Sequence, residues 1–155
     1  MPRFETSRRV RHAATDMFDL VADVENYPAF LPLCEGLVVR GRDAKPDGTM
    51  ILVADMTVGY KMFSETFTSR VTLRPAEKKI EVAYLDGPFE HLDNRWTFTD
   101  TGPEQSAVGF FIDYAFRSRT LAMLMGSVFE RAVGKYAEAF ERRADEVYGR
   151  KPSSA

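Results

Sequence analysis

The chain has 155 residues, one cysteine, two histidines and a net charge of −2, with 45% apolar and 28% charged side chains. These values describe one globular domain. They exclude a disordered or fibrous chain, an intramolecular disulfide, and a zinc or iron site built on ordinary His or Cys spacing.

Taken in order, "RFETSRRV" (3–10) reads as a short strand. Thr15 is placed as an N-cap with Asp16 in the first turn, and Met17, Leu20, Val21 and Val24 follow at helical spacing. "ENYPAFLPLCEG" (25–36) then puts Pro28 and Pro32 among Tyr27, Phe30, Leu31 and Leu33. Each proline fixes φ and removes an N–H, so this segment holds one turn at most. Cys34, which follows it, reads as a buried, inert thiol.

From Leu37 the period becomes that of strands. "KPDG" (45–48) is a turn, and "TMILVADMTV" (49–58) puts Met50, Leu52, Ala54, Met56 and Val58 on one face. Gly59 is read as a bend. "YKMFSETFTSRVTL" (60–73) gathers Phe63, Glu65, Phe67, Ser69, Val71 and Leu73 on the inward face. "IEVAYL" (80–85) is a strand, "DGPFEHLDN" (86–94) a long loop, "RWTFT" (95–99) and "AVGFFIDYAF" (107–116) two more strands. From Ser118 to Tyr148 the spacing is helical, with Leu121, Leu124, Val128, Ala132 and Tyr136 in one stripe and Met125, Phe129, Val133 and Phe140 beside it. A helix of that span is roughly 45 Å long and must lie across the sheet. Gly149 ends it, so residues 1–149 form one domain and 150–155 a frayed tail.

The predicted class is α+β: a curved antiparallel sheet of six to seven strands wrapped around a long C-terminal helix, with one helix and a proline-broken turn after the first strand. A slender helix cannot fill a curled sheet, so an apolar cavity is expected between them. No apolar run approaches the ~18 residues of a membrane span, and no targeting segment precedes the first strand, which suits an intracellular protein. Residues 1–12 and 117–155 each carry +3 and the middle −8. Such basic ends are either solvated or face anionic lipid or RNA phosphates.

The order of elements resembles the helix-grip fold of the START and polyketide-cyclase superfamily. "YPAFLPLC" (27–34), "DGPFEHLDNRWTF" (86–98), "FFIDYAF" (110–116) and "AFERRADEVYG" (139–149) are similar to segments of the coenzyme Q-binding proteins and their bacterial relatives, the ribosome-association toxin A proteins. The resemblance covers nearly the whole chain. It implies a non-catalytic carrier of ubiquinone or a related prenyl lipid, with no other cofactor, acting in respiratory electron transport or quinone biosynthesis. It also implies an alternative, a toxin-like regulator of ribosomal subunit association. The absence of a targeting extension suits a bacterial cytoplasm, with contact at the inner face of the inner membrane or a respiratory complex. Nothing points to DNA.

For such a ligand, Tyr27, Pro28, Phe30, Leu31 and Pro32, with Phe89 and Leu92, are placed as a gate, or else as a rigid core-closing turn. Trp96 is a pocket wall able to give its indole N–H to a carbonyl, or plain core. Met56, Tyr84, Phe110, Leu124, Met125 and Val128 are assigned to the cavity lining, or to the core. Glu65 is the oddity: a carboxylate phased inward, read as a head-group anchor, an ion-pair partner or a register slip. Cyclase chemistry needs an acid–base pair in the pocket. The inward faces offer only Glu65 and scattered hydroxyls, so no enzyme is expected.

Overall fold

Turn residues at regular spacing divide the middle of the chain into a meander. The computed structural model describes residues 3–149; the tail expected at 150–155 lies outside the described residues. The strands are β1 (Arg3–Val10), β2 (Cys34–Ala44), β3 (Met50–Tyr60), β4 (Phe63–Arg74), β5 (Lys79–Asp86), β6 (Phe89–Gly102) and β7 (Gln105–Phe116). They form one antiparallel sheet in the order β1-β7-β6-β5-β4-β3-β2, so each hairpin pairs consecutive strands and β1 returns to lie beside β7. The sheet curves, and its apolar alternation faces inward: Val108, Phe110, Ile112 and Tyr114 of β7 are all buried. β2 is an edge strand, broken by register shifts between Cys34 and Gly36 and between Val39 and Gly41.

Helix α1 (Ala14–Ala22) follows β1 and leads into a 3-10 turn (Val24–Ala29) that contains Pro28. Thr15 does not cap α1. The cap position is Ala13, which has no side-chain acceptor, and Asp100 from β6 takes the Ala14 N–H at 2.9 Å instead. A cap supplied from a distant strand leaves no local sequence signal.

Three other sequence expectations are corrected. The segment 86–94 is not a long loop. Only Gly87 and Pro88 turn, and β6 begins at Phe89, paired with Phe116 of β7. Gly59 is no bend either; β3 runs through it, and the turn falls at Lys61, whose φ is 56°. A Cβ at position 59 would meet only the end of the exposed Glu35 side chain, which can swing aside.

The third concerns the C-terminal rod, which is two helices, α2 (Arg119–Val133) and α3 (Tyr136–Tyr148). Ser118 caps α2 by accepting from the Leu121 N–H at 3.2 Å. At the junction the Lys135 N–H donates to Ala132, one residue tighter than an α-helical bond. The inward face nonetheless runs on across the junction: Phe129 and Val133 of α2 are followed by Tyr136, Phe140 and Ala144 of α3, all buried.

The two halves are held differently. α3 is tied to the start of the chain by Asp145 on His12 Nε2 (2.8 Å), by Glu141 on Arg8 (2.6 Å), and by the Tyr148 hydroxyl donating to the Asp16 carbonyl (3.1 Å). Among the described residues, no side-chain hydrogen bond or ion pair joins α2 to the sheet. It is held by apolar burial of Met125, Phe129, Ala132 and Val133.

Candidate functional site

A cavity of about 90 Å³ lies between the concave face of the sheet and the C-terminal helices. Strand alternation supplies its floor: Ala54 and Met56 of β3, Phe67, Ser69 and Val71 of β4, Ile80 and Val82 of β5, Leu92, Asn94 and Trp96 of β6, and Ile112 of β7. Phe129 of α2, with Tyr136 and Phe140 of α3, forms the roof, and Val24, Tyr27, Leu31 and Leu37 close one side. No lining residue is acidic, basic or a histidine. The space is too small for a prenyl chain as it stands, being below the ~150 Å³ of an engineered cavity that takes up benzene.

Beside it, beneath α2, is a hollow of only about 10 Å³ bordered by Val58, Phe63, Glu65, Phe89, Leu121 and Met125. Phe129 borders both spaces.

The polar groups at the main cavity are few. Asn94 is engaged, accepting the Trp96 indole N–H at 3.1 Å and donating to the Phe111 carbonyl at 2.8 Å. Tyr27 donates to the Val21 carbonyl, which pins the turn back on α1. The hydroxyls of Ser69 and Tyr136 are buried and have no hydrogen-bond partner. Burial holds the Tyr27 and Tyr136 phenols well above the usual tyrosine range, so both stay protonated at neutral pH. Burial likewise pushes the neighbouring Cys34 thiol up to about 11, which keeps it unreactive. This arrangement can enclose an uncharged, flat, apolar molecule. It brings no carboxylate or imidazole into the lining for proton transfer.

Of the residues singled out from the sequence, Tyr27, Leu31, Met56, Leu92 and Trp96 line this cavity together. The others lie elsewhere. Pro28 is exposed and Pro32 half-buried, and both shape the turn without reaching the cavity. Phe30 packs behind it against Phe140 (5.1 Å between ring centres), under the Arg143 guanidinium. Phe89 is no gate. It is fully buried at the centre of an aromatic cluster with Phe67, Tyr84, Tyr114, Phe116 and Phe129. Tyr84 supports that cluster by accepting the Phe89 N–H at 3.0 Å.

Phe110 stands behind Trp96, their ring centres 4.6 Å apart. Trp96 cannot offer its N–H freely, because Asn94 holds it. Met125 borders the small hollow, Val128 is half-buried outside both spaces, and Leu124 is 51% exposed. Glu65 is not a buried carboxylate. Its phase is inward and it borders the small hollow beneath α2, yet the side chain is exposed. Asn94 was missed because it sits in the segment read as a loop. Ser69 and Tyr136 were on inward faces from the start, yet their unpaired hydroxyls depend on packing that spacing does not encode.

With this apolar cavity roofed by C-terminal helices on a seven-stranded sheet, residues 10–141 match one family of known proteins. The chain belongs to the polyketide cyclase / dehydrase and lipid transport family. Among its relatives is the "Ribosome association toxin RatA" of Escherichia coli, 34% identical over 96% of this chain and 90% of that one. The mitochondrial "Coenzyme Q-binding protein COQ10 homolog B" of Xenopus laevis is 28% identical over 95% of this chain, which spans 59% of that longer protein. An 18 kDa Caulobacter crescentus protein of known solution structure is 31% identical, with a TM-score of 0.77 over 96% of this chain and 99% of that one. A Streptomyces aromatase/cyclase superposes equally well, with a TM-score of 0.78 over 97% of this chain and 99% of that one. At 20% identity it shares the fold alone. This family thus spans lipid transport and cyclisation on one scaffold, and the contents of the cavity decide between them.

Proposed function

We propose that this protein is a non-catalytic carrier of ubiquinone or a similar prenyl lipid, serving respiratory electron transport or quinone biosynthesis. The supporting observation is a cavity lined only by uncharged side chains, in a chain related to a coenzyme Q-binding protein. Without an acid–base pair in that lining, the site suits holding a ligand over transforming it. Because the closed cavity is about 90 Å³, uptake must widen it. The apolar contacts of α2 can be exchanged for contacts to an isoprenoid at little net cost. Such a carrier would load and unload in the cytoplasm at the inner face of the membrane.

The test is to extract the protein from its native host with organic solvent and identify the lipid, then titrate delipidated protein with ubiquinone. A long-chain quinone in the extract and saturable quenching of Trp96 fluorescence are expected; Trp96 lies in the lining. No quinone and no saturable response would end the proposal.

The 34% identity to a ribosome association toxin favours a second reading, association with ribosomal subunits. Its surface would be the basic N-terminal stretch, where Arg9 and Arg11 are exposed while Arg8 is held by Glu141. Co-sedimentation of delipidated protein with subunits at physiological salt, without a quinone response, would establish it instead.

A further inference from the structure

We propose that Ser69 and Tyr136 form a hydrogen-bonding clasp inside the cavity that admits an uncharged ring bearing carbonyl or ether oxygens, held ring-inward. The inference deepens the carrier reading and rests on the cavity being a ligand site. Ser69 enters from the sheet, between the inward-facing Phe67 and Val71, and is 5% exposed. Tyr136 enters from the first turn of α3 and is 8% exposed. Both line the same space, and both hydroxyls lack a partner. A buried hydroxyl that gave up water and gained nothing is disfavoured, and native interiors rarely keep one without a reason. Valine and phenylalanine would fill these positions without that loss.

The other polar group in the lining, Asn94, is already committed to Trp96 and Phe111, so the two hydroxyls are the unspent hydrogen-bonding capacity of the site. A phenol and an alcohol donate to neutral acceptors. With no lysine, arginine or histidine in the lining, nothing there compensates a carboxylate or a phosphate. The clasp therefore selects against fatty acids and phospholipids, and against bare hydrocarbon. The hydroxyls give the direction. Both lie in the enclosed lining, so the oxygen-bearing ring lies inside and the chain trails outward.

The experiment is calorimetric titration of delipidated wild type, Tyr136→Phe and Ser69→Ala with three probes: ubiquinone-1, a prenylated tetramethylbenzene of matching shape, and a medium-chain fatty acid. Wild type is expected to bind ubiquinone-1 at least about tenfold more tightly than the hydrocarbon, the size of one neutral hydrogen bond, and the fatty acid most weakly. Each variant is expected to lose about fivefold to tenfold toward ubiquinone-1. Hydrocarbon affinity should be unchanged and the melting temperature no lower.

Equal binding of quinone and hydrocarbon by wild type would overturn the clasp while leaving the carrier reading intact. So would variants that weaken both probes in parallel, or that melt earlier, since the hydroxyls would then serve internal water or packing. Binding of no probe by wild type would overturn both.

Discussion

Gly87 shows how much one backbone angle carries. It turns β5 into β6 at a φ of +143°, and a Cβ there would stand 2.6 Å from Cβ and 2.9 Å from Cα of Phe67, a cavity-lining residue. Gly87→Ala combines an unfavourable φ with a clash against backbone, and should cost about 2–3 kcal/mol. Thermal melts should then show a fall of roughly 5–10 °C. Gly48→Ala, at a φ of +92° in open space, is the control and should cost about 1 kcal/mol. Equal melting of the two variants would refute the Phe67 contact. At this scale the sequence discloses direction better than depth. Alternation sends Glu65 and Ser69 to the same side of β4, yet one is exposed and the other buried. The first four residues of the strand are all exposed and burial begins only at Phe67, a boundary that no residue on β4 records.

Among the elements, the strands of the meander were legible because turn chemistry brackets them: "KPDG" closes through Lys45 and Thr49, with Gly48 at positive φ. The first half of β6 was not. Gly, Pro, Asp and Asn in "DGPFEHLDN" imitate a loop, but Phe89 to Leu92 gain their structure from β7 alone, β5 pairing only from Asp93 onward. The helix break leaves no trace in the spacing. Phe129, Val133, Tyr136, Phe140 and Ala144 keep three- and four-residue intervals across Gly134, and an unbroken stripe is what periodicity detects.

That break leads to a prediction. α3 has three polar ties to β1, α1 and the segment between them, whereas α2 rests on apolar contact. Backbone amides in α2 should exchange with deuterium faster than those in the middle of α3, by tenfold or more, and bound quinone should slow α2 selectively. Uniform protection along both helices would show that they open as a single unit.

For the molecule as a whole, the buried phenols and thiol set an alkaline limit. Burial raises Tyr114 to about 12 and Cys34 to about 11, from ordinary values of 10.0 and 9.0, and raises Tyr27 and Tyr136 further. The folded state keeps protons that the unfolded chain releases, so their contribution is complete at neutral pH and is lost as pH climbs through these values. Urea midpoints should be level from about pH 7 to 8.5 and fall steadily above about pH 9. A flat profile to about pH 11 would show that these groups reach solvent.

The two register shifts in β2 have a final consequence. A sheet that curls without closing leaves two strand borders, and a flat border invites another chain to add to it. Here one border is kinked twice and carries the ion pairs of Arg40 with Asp55 and Arg42 with Glu25, and the other presents Arg9 beside the Arg8–Glu141 pair. Neighbouring copies thus meet bent backbone and charged side chains where they would otherwise zip together. A carrier of the kind proposed, opening its greasy interior to load, would thereby be kept from self-adhesion while it does so.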